Sequence, residues 1–129
     1  MTQYQTIAAG ETVTRTGAIK LYGPDGFEGM RAAGRLAAAI LDELATHIRP
    51  GVTTEEIDRI VYDLTIAGGA LPATLNYRGY THSCCISLNH VVCHGIPGSK
   101  TIKEGDIVNV DVTPLLLSLI HISEPTRPY

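Results

Sequence analysis

The sequence predicts an α+β domain in which two amphipathic helices pack on a small antiparallel sheet. Three observations carry this. Apolar residues recur at three- and four-residue spacing from Met30 to Ile48 and again from Ile57 to Leu64, the period of one helix face. After Gly69 the period changes to two, the period of a strand. The helices come first and the strands after them, which is an α+β order.

Composition sets the class. A chain of 129 residues suits one domain. Its 44% apolar and 18% charged residues are those of a soluble globular protein. A net charge of -3 gives no electrostatic case for nucleic acid or an anionic membrane as the main partner. No apolar run approaches the ~20 residues of a membrane span. Met1 to Gln5 shows no basic region followed by an apolar one, so no signal peptide is read there. The cysteines, Cys84, Cys85 and Cys93, include an adjacent pair and do not form a disulfide framework. A reducing, cytoplasmic location is expected.

Residues 1–22 are polar, rich in Thr and Gly, and without sustained period, and read as a flexible extension with at most a short strand. The domain proper is expected from 23 to 113. Gly23-Pro24-Asp25-Gly26 is a break, with Asp25 as a candidate N-cap. Met30, Ala33, Ala37, Ile40, Leu41, Leu44 and Ile48 then form one face of a long helix, which Pro50-Gly51 stops. Thr53 and Glu56 are placed for a reciprocal capping box at the second helix. Ile57, Ile60, Val61 and Leu64 make its buried face, and Gly68-Gly69 ends it. Leu71 to Leu75 is a short extended segment that Pro72 marks as an edge or a strand start. Asn76 to Tyr80 is a loop. Residues 84–88 and 91–93 read as two strands joined tightly at Asn89-His90, and a turn at 103–106 leads into a strand over 107–113.

That last strand carries an anomaly. Val108, Val110 and Val112 form one apolar face, toward the helices, while Ile107, Asn109, Asp111 and Thr113 point the other way. Strand interiors are depleted in Asp, and burying an unpaired carboxylate costs several kcal/mol or more. Asp111 is therefore either the wall of a site or part of a solvent-facing strand. As an oxygen donor on a rigid strand it suits a divalent ion, but one carboxylate does not make a metal centre.

Other candidates stand beside it. His94 ends an apolar run and precedes Gly95, so a strand end holds the imidazole while glycine leaves room for a substrate. Tyr77 and Tyr80 flank the Arg78-Gly79 pair, and with Cys85 they could line a modest pocket for an unbranched side chain. Ordinary core or surface roles stay open for all of these. Cys84, Cys85, Cys93, His94, His82 and His90 make a competing zinc reading, without any C-x-x-C spacing and with adjacent cysteines facing opposite ways. Motifs of the G-x-S-x-G, P-loop and G-x-G-x-x-G kinds are missing.

From Phe27 to Thr113 the chain resembles the N-terminal half of a type I methionine aminopeptidase of bacterial kind. The resemblance is carried by Met30 to Ala37, Arg49 to Thr54, Asn76 to Tyr80, the run Ile86-Ser87-Leu88-Asn89-His90-Val91-Val92-Cys93-His94-Gly95-Ile96-Pro97, and Gly105 to Thr113. It implies half of the pita-bread fold of creatinase and the aminopeptidases. It also implies removal of the initiator methionine from nascent polypeptide N-termini by a hydroxide held between two divalent metal ions, whether Co, Mn, Fe, Zn or Ni. Contact with the ribosome and a monomeric complete enzyme come with the same resemblance. By motif match, Asp111 stands at the first metal-ligating aspartate, and His94 at the histidine that contacts the scissile peptide. Tyr77, Tyr80 and Cys85 fall where the family lines its methionine pocket. Arg78 and Thr74 depart from residues that some members carry, a histidine and a cysteine.

Beyond Thr113 the pattern does not continue to the family's second aspartate, histidine and two glutamates. Leu117 to Arg127 instead resembles a translated transposase-type sequencing adapter, so residues 114–129 are expected to be a non-native tail. His121 and Glu124 are not counted as ligands for that reason. A chain with one ligand is expected to be inactive, and poorly soluble or molten. Two other readings remain: a non-catalytic half-domain that binds a protein partner, and a small Cys/His metal-binding module.

Overall fold

A computed structural model describes residues 4–7 and 19–116, and the expected adapter-like segment from Leu117 lies outside them. In chain order the elements are β1 (Tyr4–Ile7), β2 (Ile19–Tyr22), α1 (Pro24–Ala45), α2 (Thr54–Ala67), β3 (Ala70–Pro72), a 3-10 turn (Tyr77–Gly79), β4 (Cys84–Leu88), β5 (Val108–Val112) and β6 (Pro114–Leu116). They form three two-stranded sheets among the described residues: β1 with β2 in parallel, and β3 with β6 and β4 with β5 antiparallel. Where the sequence suggested one short strand at most near the N-terminus, two are paired. Residues 114–116, placed by the sequence reading in the tail, pair with β3 as β6.

The helices begin and end for local reasons. Gly23, not Asp25, is the N-cap of α1, with Pro24 in the first turn. Proline lacks an amide hydrogen and has a helical φ, so the helix starts at Pro24, two residues before an Asp25 cap would start it. Asp25 sits in the first turn instead, where its charge suits the positive end of the helix dipole. At α2 the capping box forms as the sequence predicts: the Glu56 amide donates to Thr53 Oγ1 at 3.2 Å, and the Thr53 amide donates to Glu56 Oε2 at 2.7 Å. Gly68 ends α2 at a point where a Cβ would collide with the Leu36 side chain of α1.

The core is a cluster of Ile40, Leu44, Ile57, Val61, Cys84, Ile86, Leu88 and Ile102, with Val108, Val110 and Val112 packed against it. The inward valine face of β5 is thus where the alternation placed it. Two members of the expected α1 face are exposed, Met30 by 39% and Leu41 by 42%, and Ala37 and Ile48 are half-buried. A helix contacting α2, β5 and β6 buries a stripe through Ala33, Ile40 and Leu44, and Leu41 lies about 100° round the axis from Ile40.

Residues 91–93 do not form the expected second hairpin strand. The partner of β4 is β5, in a register running from Cys84↔Val112 to Leu88↔Val108. Pairing with β5 brings three valines onto the core, whereas the 91–93 segment leaves Val92 88% exposed. The excursion between the two strands is closed by Asn89. Its Nδ2 donates to Asp106 Oδ1 at 2.9 Å, and its Oδ1 accepts from the Ile107 amide at 3.0 Å. The hydrogen bond from Asn89 holds the Asp106 carboxyl below its usual range.

Candidate active site

β4 and β5 expose alternate faces. Cys84, Ile86 and Leu88 point into the core, so Cys85 and Ser87 share the opposite face with their register partners Asp111 and Asn109. Over β4 that face is covered: Cys85 is 9% exposed and Ser87 2%. Over β5 it is open, with Asn109 and Asp111 both exposed. Asn109 Nδ2 lies 3.4 Å from Asp111 Oδ2, a long contact. Asp111 thus stands on the outer face of a strand, as the alternation predicts, directly across from Cys85.

The Tyr80 side chain meets Cys85. Its hydroxyl donates to the Cys84 carbonyl at 2.8 Å and accepts from Cys85 Sγ at 3.6 Å. Burial raises both the Tyr80 hydroxyl and the Cys85 thiol above their ordinary pKa values, so both are neutral and protonated at pH 7. The result is an uncharged wall beside Asp111, suited to an apolar side chain. Tyr77 is not drawn into it to the same degree. It is 53% exposed, and the Arg78 guanidinium lies 5.4 Å from its ring centroid. Asn76 and Arg78 on this loop both take left-handed backbone, with φ of 65° and 48°.

His94 approaches β4 from the other edge. The Ile86 amide donates to the Gly95 carbonyl at 2.8 Å, and the Gly95 amide donates to Ser87 Oγ at 3.0 Å. Further along the same segment, Gly98 and Thr54 exchange two bonds: Gly98 N donates to Thr54 Oγ1 at 2.9 Å, and Thr54 Oγ1 donates to the Gly98 carbonyl at 3.0 Å. One strand therefore carries Asp111 along one edge and the His94 segment along the other.

Two residues that sequence reading passed over build this frame. Asp58 on α2 accepts from the amides of Ser83 at 2.8 Å and Cys84 at 3.0 Å, and from Cys84 Sγ at 3.3 Å. Nothing in the local sequence distinguishes it from a solvated helix carboxylate. Ser87 did carry a signal, a hydroxyl inside the apolar run Cys84 to Leu88.

The zinc reading of the cysteines does not fit. Cys84 and Cys85 face opposite ways, and burial, reinforced by the Asp58 charge, pushes the Cys84 thiol far above its ordinary value, away from the thiolate that binds metal. Asp111 is one carboxylate, and no group of three His, Cys, Asp or Glu side chains able to hold an ion occurs among the described residues. The described residues do not make a complete metal centre.

Residues 28–119 match the metallopeptidase family M24, and the chain belongs to that family. Within it, the chain is similar to methionine aminopeptidases. It is 54% identical over 90 residues to methionine aminopeptidase 2 of Mycobacterium tuberculosis, a match covering 70% of this chain and 32% of that protein. The solved methionine aminopeptidase of Rickettsia prowazekii superposes with a TM-score of 0.74 at 49% identity, over 76% of this chain and 40% of that one. That of Thermotoga maritima gives 0.71 at 36%, over 74% and 39%. The fold is the pita-bread arrangement of these enzymes, of which the chain spans 32% to 40% of the length in these three comparisons. The family match runs to Leu119, six residues beyond Thr113.

Proposed function

We propose that this chain is part of a type I methionyl aminopeptidase that removes the initiator methionine from polypeptide N-termini. The observation that carries the reading is the arrangement around β4, where Asp111 lies across from Cys85 on one edge and the His94 segment is bound along the other. The neutral Tyr80–Cys85 pair forms the wall for the methionine side chain, and Tyr77, exposed on the same loop, is assigned to its rim. A thioether is apolar and unbranched, and an uncharged wall with a polarisable sulfur suits it. His94 is the residue assigned to the scissile peptide, where an imidazole can donate to a carbonyl oxygen as it gains charge. Asp111 would supply one carboxylate ligand to the two divalent ions of the family's centre, which would provide the hydroxide that attacks the peptide. The similarity to methionine aminopeptidases at 54% and 49% identity supports the substrate.

The test is release of methionine from a Met-Ala-Ser peptide by a protein that joins this chain to the remainder of the family's fold, supplied with Co²⁺ or Mn²⁺. Release that requires the metal is the expected result. A folded, metal-loaded product that leaves the peptide intact overturns the assignment.

A further inference from the structure

His94 has a backbone φ of 56°, the left-handed region that a non-glycine residue occupies at a cost unless its surroundings hold it there. The hold is visible one residue on. Gly95 is bound by both of its backbone polar groups to β4, its carbonyl accepting from Ile86 and its amide donating to Ser87 Oγ. The approach is so close that a Cβ on Gly95 would collide with the Ile86 carbonyl oxygen. Only the amide bond uses a side chain. Ser87 is 2% exposed, so water is poorly placed to replace its hydroxyl.

We propose that Ser87 is a positioning residue for His94: by accepting the Gly95 amide, its hydroxyl sets the peptide plane joining residues 94 and 95. That plane sets the direction in which the imidazole leaves the chain. The catalytic meaning of this lock rests on the assignment of His94 to the scissile peptide, but the lock can be tested without turnover.

The experiment is amide hydrogen exchange and NMR on the full chain, comparing the parent with Ser87→Ala and Ser87→Cys. In Ser87→Ala the Gly95 amide is expected to exchange about tenfold faster or more. The amides of Asn89 and Ile102, which donate to the Ile107 and Val52 carbonyls away from the lock, should keep their protection. The strong intraresidue HN–Hα contact that marks positive φ at His94 should weaken. Ser87→Cys, which keeps the size but offers a weaker acceptor, should fall between. Unchanged Gly95 exchange with an unchanged His94 signal overturns the proposal. So does an equal loss of protection at Gly95, Asn89 and Ile102, which would make Ser87 a general packing residue. Absence of peptide cleavage by the unsubstituted protein that carries the remainder of the fold, with the Gly95 and His94 responses observed, would refute the functional assignment and leave the lock standing.

Discussion

Asp58 and Cys84 are bound to each other twice: the carboxylate accepts the Cys84 amide at 3.0 Å and its thiol at 3.3 Å. With the Ser83 amide at 2.8 Å, a helix carboxylate takes up the donors where β4 begins. Asp58→Ala leaves those part-buried donors without an acceptor, and the expected loss is about 2–3 kcal/mol of unfolding free energy. Urea denaturation measures it, and a loss under about 0.5 kcal/mol would show that water replaces the carboxylate.

Thiol chemistry reports the same packing. Cys84 and Cys85 are buried and their thiols raised, while Cys93 is exposed. A disulfide reagent such as DTNB at pH 8 should therefore titrate one thiol rapidly in the native chain and all three after denaturation. Equal reaction rates at all three would contradict the native burial of β4.

The raised thiols also set an alkaline limit. In the unfolded chain Cys84 releases its proton near the ordinary value of about 8.5, whereas in the fold it keeps it to much higher pH. Above that ordinary value the unfolded state binds fewer protons than the native one, so stability falls as pH rises. Cys85 adds in the same direction, and Tyr80 joins above about 10. The urea midpoint should hold steady from pH 7 to about 8.5 and decline beyond it, and a flat profile to pH 10 would refute the argument.

In a protein that joins this chain to the remainder of the family's fold, His94→Ala should cut turnover of a Met-Ala-Ser peptide by about 10²–10⁴-fold. Asp111 is on the opposite edge of β4, so bound metal should not change. Elemental analysis beside the kinetics separates the two effects, and full activity would remove His94 from the mechanism.

Sequence alone was enough wherever short-range sterics decide. The capping box at Thr53 and Glu56, the end of α2 at Gly68 and the inward valines of β5 all follow from local pattern, and each is in the structure. The outward placement of Asp111 follows from the same alternation. Local pattern misplaced the α1 cap because the proline effect outranked the aspartate, and it overcounted the α1 face because Leu41 borders the stripe that the neighbours cover.

Tertiary structure decided the rest, because strand pairing is a choice among distant partners. A hairpin between 84–88 and 91–93 was the local option, yet β5, some twenty residues on, buries three valines on the helices and so takes the place beside β4. That choice sets Asp111 across from Cys85, and it frees the 94–98 segment to bind the other edge of β4 and the start of α2. No periodicity encodes which hydroxyl accepts the Gly95 amide or which carboxylate receives Cys84. Those partners exist only once burial removes water as the alternative.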